Sequence, residues 1–219
     1  MESIINFAIP KRRINIKVAS AIAGSLGKPS KMPGRSYGIS ATLCKVGAKL
    51  AEIPGSTCHD CYALKANYKY PSVTKGHAKR FSGLTSLSWT DSMEKLISRS
   101  GERFFRWHDS GDLQDFQHLL NIVTIAERLP DVSFWLPTRE KGLINQYLRA
   151  FGDFPANLCV RVSAAMVDGE APDFPNTSTV HDKATPKGFR CNAPDQGNKC
   201  MDCRACWNRS IKNVSYGKH

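Results

Sequence analysis

Seven of the eight cysteines fall into two tight groups, and grouped thiolates are metal ligands by chemistry. Cys191-x8-Cys200-x2-Cys203-x2-Cys206 offers four thiols in one short stretch, enough to complete the coordination of one centre without help from elsewhere. The C-x2-C-x2-C run has the spacing of a cubane ligand set, whereas the knuckles of a zinc ribbon are separated by a longer spacer. The spacing therefore favours a [4Fe-4S] cluster, with structural zinc as the alternative. Cys44-x13-Cys58-x2-Cys61 is different, because it offers three thiols and no evident local fourth. Three ligands leave one position open, which suits a site that binds a small molecule. His59 or Asp60 completing a zinc site is the competing reading there. Cys159, inside an apolar stretch, reads as a buried core thiol.

The rest of the composition sets the frame. A chain of 219 residues with 41% hydrophobic residues and four Trp can bury one sizeable core. No apolar run is long enough to span a membrane, and Lys11, Arg12 and Arg13 follow the short apolar N-terminal stretch instead of preceding it, which disfavours a signal peptide. Clustered cysteines in a domain of this size fit a reducing, cytoplasmic compartment better than a disulfide framework. A formal net charge of +12 attracts polyanions, and Lys11, Arg12, Arg13, Lys17, Arg204, Arg209, Lys212 and Lys218 are the candidate contacts for nucleic acid.

The elements that must position the thiols read as alternating strands and helices. The Gly27 to Arg35 stretch is turn-rich. Tyr37 to Leu43 predicts a strand entering the first cysteine loop, and Tyr62 to Tyr70 a helix leaving it. Trp89 to Ser98 has helical spacing, and Phe104 to His108 reads as an aromatic strand stopping at Asp109-Ser110-Gly111-Asp112. A helix then follows, with Asp112 as its cap. Val132 to Leu136, Gly142 to Phe151 and Leu158 to Ser163 give strand, helix, strand, and the chain beyond Met166 reads as loop. This alternation predicts an α/β fold of βα units with parallel strands. Chemistry is then expected at the C-terminal strand ends.

At Cys58-His59-Asp60-Cys61-Tyr62-Ala63 the chain resembles the cysteine loop of radical S-adenosylmethionine enzymes. More specifically it is similar to a phage family, the gene-product eighty-eight family. The resemblance rests on that loop together with His108-Asp109-Ser110-Gly111-Asp112, Phe134-Trp135-Leu136-Pro137-Thr138-Arg139 and Cys203-Arg204-Ala205-Cys206-Trp207. It implies a partial (βα)6-type barrel over residues 36–185, after a basic segment 1–35 and before a cysteine-rich C-terminal extension 186–219, all one compact unit. For a phage-encoded chain the expected compartment is the infected host's cytoplasm. The resemblance further implies a cluster on Cys44, Cys58 and Cys61 whose open iron binds S-adenosylmethionine, with Ser110, Gly111 and Asp112 meeting the amino group. Tyr62, Arg139 and Ser163 are then cofactor contacts, and Arg161 is a further strand-end cation. Two departures stand out: the usual C-x3-C-x2-C spacing is stretched by ten residues, and no Gly-x-Ile-x-Gly segment for adenine is visible. The expected function is a radical enzyme with a second cluster on the four-cysteine tail, its substrate and electron donor open. The alternative is a non-catalytic iron–sulfur protein that binds nucleic acid or a host protein.

Overall fold

The computed structural model describes residues 12–218. Among these residues, seven strands form one sheet: β1 (Arg35–Tyr37), β2 (Phe104–Trp107), β3 (Ser133–Thr138), β4 (Leu158–Val167), β5 (Thr177–His181), β6 (Phe189–Arg190) and β7 (Asn213–Gly217). Their order is β1-β2-β3-β4-β5-β7-β6, and every pairing is parallel. The α/β class and parallel strands are as the sequence predicts. The sheet is open, with β1 and β6 at its edges.

Six helices of the described residues accompany it: α1 (Ile16–Ala23), α2 (Lys45–Ala51), α3 (Pro71–Gly83), α4 (Trp89–Ser100), α5 (Phe116–Arg128) and α6 (Lys141–Phe151). Parallel neighbours need a crossover, and α5 and α6 supply those from β2 to β3 and from β3 to β4. The core is aromatic. Tyr37, Trp89, Phe105, Trp107 and Phe134 are fully buried and meet edge-to-face or stacked with centroids 4.9 to 6.2 Å apart, each such burial contributing roughly 1.5–3 kcal/mol.

Several expectations are corrected. The strand predicted over Tyr37 to Leu43 ends at Tyr37, and Ala41–Leu43 is a 3-10 turn in which Thr42 N–H donates to the Ser40 hydroxyl. Tyr62 to Tyr70 is two 3-10 turns, Tyr62–Leu64 and Ala66–Lys69, and the helix begins only at Pro71, whose fixed φ suits a first helical turn. The loop predicted beyond Met166 holds β5, β6 and β7. The residues after 185 contribute β7, which lies inside the sheet between β5 and β6.

Candidate functional site

The three-cysteine group sits over the C-terminal ends of β1 to β4. Cys44 closes the 3-10 turn after β1 and is the cap residue of α2. The first turn of α2 is tied to the end of β3, because Val46 N–H donates to Glu140 Oε1 at 3.0 Å. The chain between Cys44 and Cys58 then crosses to β4. Thr57 N–H donates to Ala165 O at 2.8 Å, Val167 N–H to Gly55 O at 2.9 Å, and Ser56 bridges Met166. This crossing explains the stretched spacing: the inserted residues span four strands before the chain returns with Cys58 and Cys61. Cys61 N–H donates to Cys58 O at 3.2 Å, closing the tight turn that a C-x2-C pair needs.

Gly47 lies among the thiols. A Cβ there would stand 3.0 Å from Cys44 Cβ and 3.6 Å from both Cys44 Sγ and Cys58 Sγ. The missing side chain thus leaves a cradle bordered by two of the three sulfurs. Burial pushes the Cys44 thiol up to about 12, helped by Asp112, Cys61 and Cys58 and opposed by the Arg139 guanidinium. Burial likewise raises Cys58, against Arg139. These mutual influences place the three thiols, Asp112 and Arg139 in one neighbourhood. Cys44 and Cys58 are held neutral there unless a cationic centre joins them, since metal binding inverts that balance.

The strand-end loops interlock around this neighbourhood. Ile39 N–H donates to Ser110 O at 3.0 Å. Gly111 has φ +77°, and a Cβ there would fall 2.4 Å from Ile39 Cγ1, so the turn after β2 requires glycine. Asp112 is buried and does not cap α5, which begins four residues later with the Asp115 carboxylate accepting from His118 N–H at 2.7 Å. Asp112 Oδ1 instead accepts from Thr138 Oγ1 at 2.6 Å and Leu113 N–H at 2.8 Å, and Oδ2 accepts from Arg139 N–H at 2.8 Å. Burial raises its carboxyl to about 6 despite these bonds.

Arg139 donates from Nη2 to Thr57 Oγ1, while its buried Nε finds no partner among the described residues. Tyr62 is half exposed; its hydroxyl donates to Asp109 O at 2.8 Å and accepts from Arg106 Nη2 at 3.3 Å. Ser110 Oγ is buried without a partner among the described residues.

The four-cysteine group lies beside the far strands. Cys191 N–H donates to Ser215 O of β7, Cys200 N–H to Lys31 O, and Cys203 N–H to Cys200 O, at 2.8 to 2.9 Å. Burial pushes Cys206 up to about 12, eased by the Tyr216 hydroxyl at 3.1 Å and by Arg161, with Cys191 adding to the rise. Burial also raises Cys200, with Cys191 and Cys203 next in effect. Cys191 thus neighbours both Cys200 and Cys206, and Cys203 neighbours Cys200. Trp207 anchors the loop by donating Nε1–H to Phe105 O at 3.0 Å and packing against Phe104 and Trp135.

Among the described residues, no three Cys, His, Asp or Glu side chains converge on a single-ion position. The thiols of each group are neighbours without closing on one point.

The profile of the gene product 88 family matches residues 12–209, a span that contains both cysteine groups. The chain belongs to that family. No protein of curated description and no solved structure matches it significantly.

In this gene product 88 family member, the remaining residues singled out in the sequence lie in and beside β4. Ser163 lies within β4, which runs on to Val167, and its hydroxyl meets Ser178 Oγ at 3.0 Å. Arg161 is fully buried and donates to six main-chain carbonyls, those of Thr177, Ala205, Cys206, Asn208, Ile211 and Lys212, at 2.8 to 3.4 Å. It braces the Cys206 loop from the interior, the core role that its place in an apolar strand allows. Cys159 is fully buried, as expected of a core thiol.

Of the basic residues predicted to meet nucleic acid, Arg209 pairs with Asp153, Lys218 with Asp182 at 3.0 Å, and Arg204 with the carbonyls of Met201 and Cys203. Arg12, Arg13, Lys17 and Lys212 are exposed, and Lys11 lies outside the described residues. Sequence reasoning missed Gly47, Thr57, Thr138 and Glu140. The Thr138-Arg139-Glu140 run just past an apolar strand was the available signal for two of them.

Proposed function

We propose that this protein is an iron–sulfur protein in which Cys44, Cys58 and Cys61 hold one [4Fe-4S] cluster with an open iron for S-adenosylmethionine, while Cys191, Cys200, Cys203 and Cys206 hold a second. The observation that carries the reading is the cradle at Gly47, bordered by two thiols and adjoining Asp112 and Arg139 at the C-terminal ends of parallel strands. The consecutive parallel strands from β1 to β5 are compatible with the wall of a partial barrel. A reduced cluster of this kind supplies the electron that cleaves S-adenosylmethionine.

The chain's own residues then have separate tasks. The unpartnered Nε of Arg139 faces the need for a carboxylate acceptor, which a methionyl group provides in a charge-assisted bond. Asp112 offers the opposite charge for an amino group. Its bonds to Thr138 and to the Arg139 main chain hold it in place before any ligand arrives, which lowers the ordering cost of binding. Tyr62 stands at the exposed rim next to Cys61. A second reading, a non-catalytic iron–sulfur protein that binds nucleic acid or a host protein, is favoured by the net charge of +12 and by the missing adenine segment.

Anaerobic purification followed by assay of iron, sulfide and zinc tests the clusters. About eight irons per chain with matching sulfide are expected from one three-thiolate and one four-thiolate cubane, with a spectral change when S-adenosylmethionine meets the reduced sample. Iron without that change selects the second reading, and zinc alone refutes both.

A further inference from the structure

The positive charge is not spread over the molecule. Residues 1–90 carry fourteen Lys and Arg against three acidic residues, Glu2, Glu52 and Asp60, so they account for eleven of the twelve net charges. The remaining chain, with seventeen basic and sixteen acidic residues, is almost neutral. From Cys61 to Thr90 there is no acidic residue at all.

These segments adjoin in space at the β1 edge of the sheet. Arg80 of α3 donates to Ser25 O at 2.8 Å and to Gly38 O at 3.1 Å, and Tyr37 Oη donates to Arg80 O at 2.9 Å, which locks α3 to α1 and β1. Lys65, Lys69, Lys75 and Lys79 remain exposed on the outside of this wall, and among the described residues only Lys65 of these four meets a carboxylate, Asp60 at 3.1 Å.

Aromatic rings interleave with these cations. Tyr62 is 51% exposed, Tyr70 57% and Phe81 39%. Singly exposed rings are ordinary on a protein surface, but a basic track that carries three of them offers what a strand of unpaired bases requires: cations for the phosphates and platforms for stacking. A duplex offers no free base faces to such rings. The track begins at Tyr62, the residue after Cys61.

We propose that the surface formed by residues 62–81, backed by α1, binds single-stranded nucleic acid and leads it past the Cys44, Cys58 and Cys61 site, which makes such a strand the substrate class of that site. The assignment as substrate rests on the cluster reading above; the binding surface does not.

The test is fluorescence anisotropy with labelled dT20 and rU20 and a twenty-base-pair duplex over a range of salt, on protein whose iron content is measured in the same preparation. Binding to at least one single strand tighter than to duplex is expected, with log affinity falling linearly in log salt. Lys65→Glu/Lys69→Glu/Lys75→Glu should weaken it at least 100-fold and flatten the salt slope by about two, from roughly 0.7 per phosphate contact on single strands. Tyr70→Ala should weaken it about tenfold. The control Lys95→Glu/Lys141→Glu/Lys183→Glu, equal in charge and on exposed lysines elsewhere, should have a far smaller effect. Equal losses for both triple variants, tighter duplex binding, salt-independent binding or none would overturn the surface. Full iron content with no strand binding would defeat this inference alone, and strand binding by iron-free protein would leave the surface standing and defeat the cluster reading together with the substrate assignment that rests on it.

Discussion

At the scale of single residues, the site depends on an atom that is missing. Alanine normally stabilises a helix interior by ~1 kcal/mol over glycine, yet at Gly47 a side chain would enter the thiol cradle. Gly47→Val is therefore expected to lose about half of the protein's iron while its far-ultraviolet circular dichroism stays unchanged; full iron loading would show that the cradle is not a ligand space. Asp112 gives a second expectation, read in cluster-free protein. Its folded value of about 6 lies above the ordinary carboxyl value of 3.8, so the folded state holds the proton more tightly than the unfolded chain. The contribution to stability is complete at low pH and declines as pH rises from about 4 through about 6, by up to ~3 kcal/mol. Urea titrations of wild type and Asp112→Asn across that range should diverge accordingly, and parallel curves would contradict the burial of the carboxyl.

At the scale of elements, a helix start that looked obvious was displaced. Asp112 and Asp115 are both acceptable caps by residue type, and the choice is made by tertiary structure: the end of β3 claims Asp112, leaving α5 to Asp115. Asp115→Ala should cost about 1 kcal/mol in chemical denaturation and leave metal content untouched. The aromatic β2, the apolar β3 and β4, and the amphipathic α4, α5 and α6 were legible because their patterns bury one clear face. The later strands were not. Thr177, Ser178, Thr179 and Ser215 are buried hydroxyl residues, satisfied by contacts such as Thr177 Oγ1 with Asn213 Oδ1 at 2.8 Å and Ser163 with Ser178, so β5 and β7 carry no hydrophobic signature. The thiols could be grouped from spacing alone, but the crossing to β4 that accounts for the long first spacer depends on main-chain bonds that no residue type announces.

At the scale of the molecule, the two cysteine groups are built into the protein differently. The first lies in loops above strand ends, whereas the second is braced from beneath by Arg161, whose guanidinium meets six carbonyls in the interior. Arg161→Leu would remove a donor from each of those carbonyls, of which Ala205, Asn208, Ile211 and Lys212 keep a second one, and a loss of at least ~3 kcal/mol is expected in urea unfolding; a loss under about 1 kcal/mol would mean that water substitutes freely. Cys203→Ala should likewise loosen the tail, while Cys61→Ala should spare the fold, and equal unfolding by both would contradict this division.

The position of β7 has a consequence for synthesis. β6, which immediately precedes Cys191, has its sheet partner in β7, made more than twenty residues later. On the ribosome, Cys191 through Cys206 therefore emerge before the strand that holds Cys191 in place exists. A nascent chain stalled within that interval exposes four reactive thiols on an unanchored segment. Cys191 is thus anchored to the sheet only after Asn213 to Gly217 have been made.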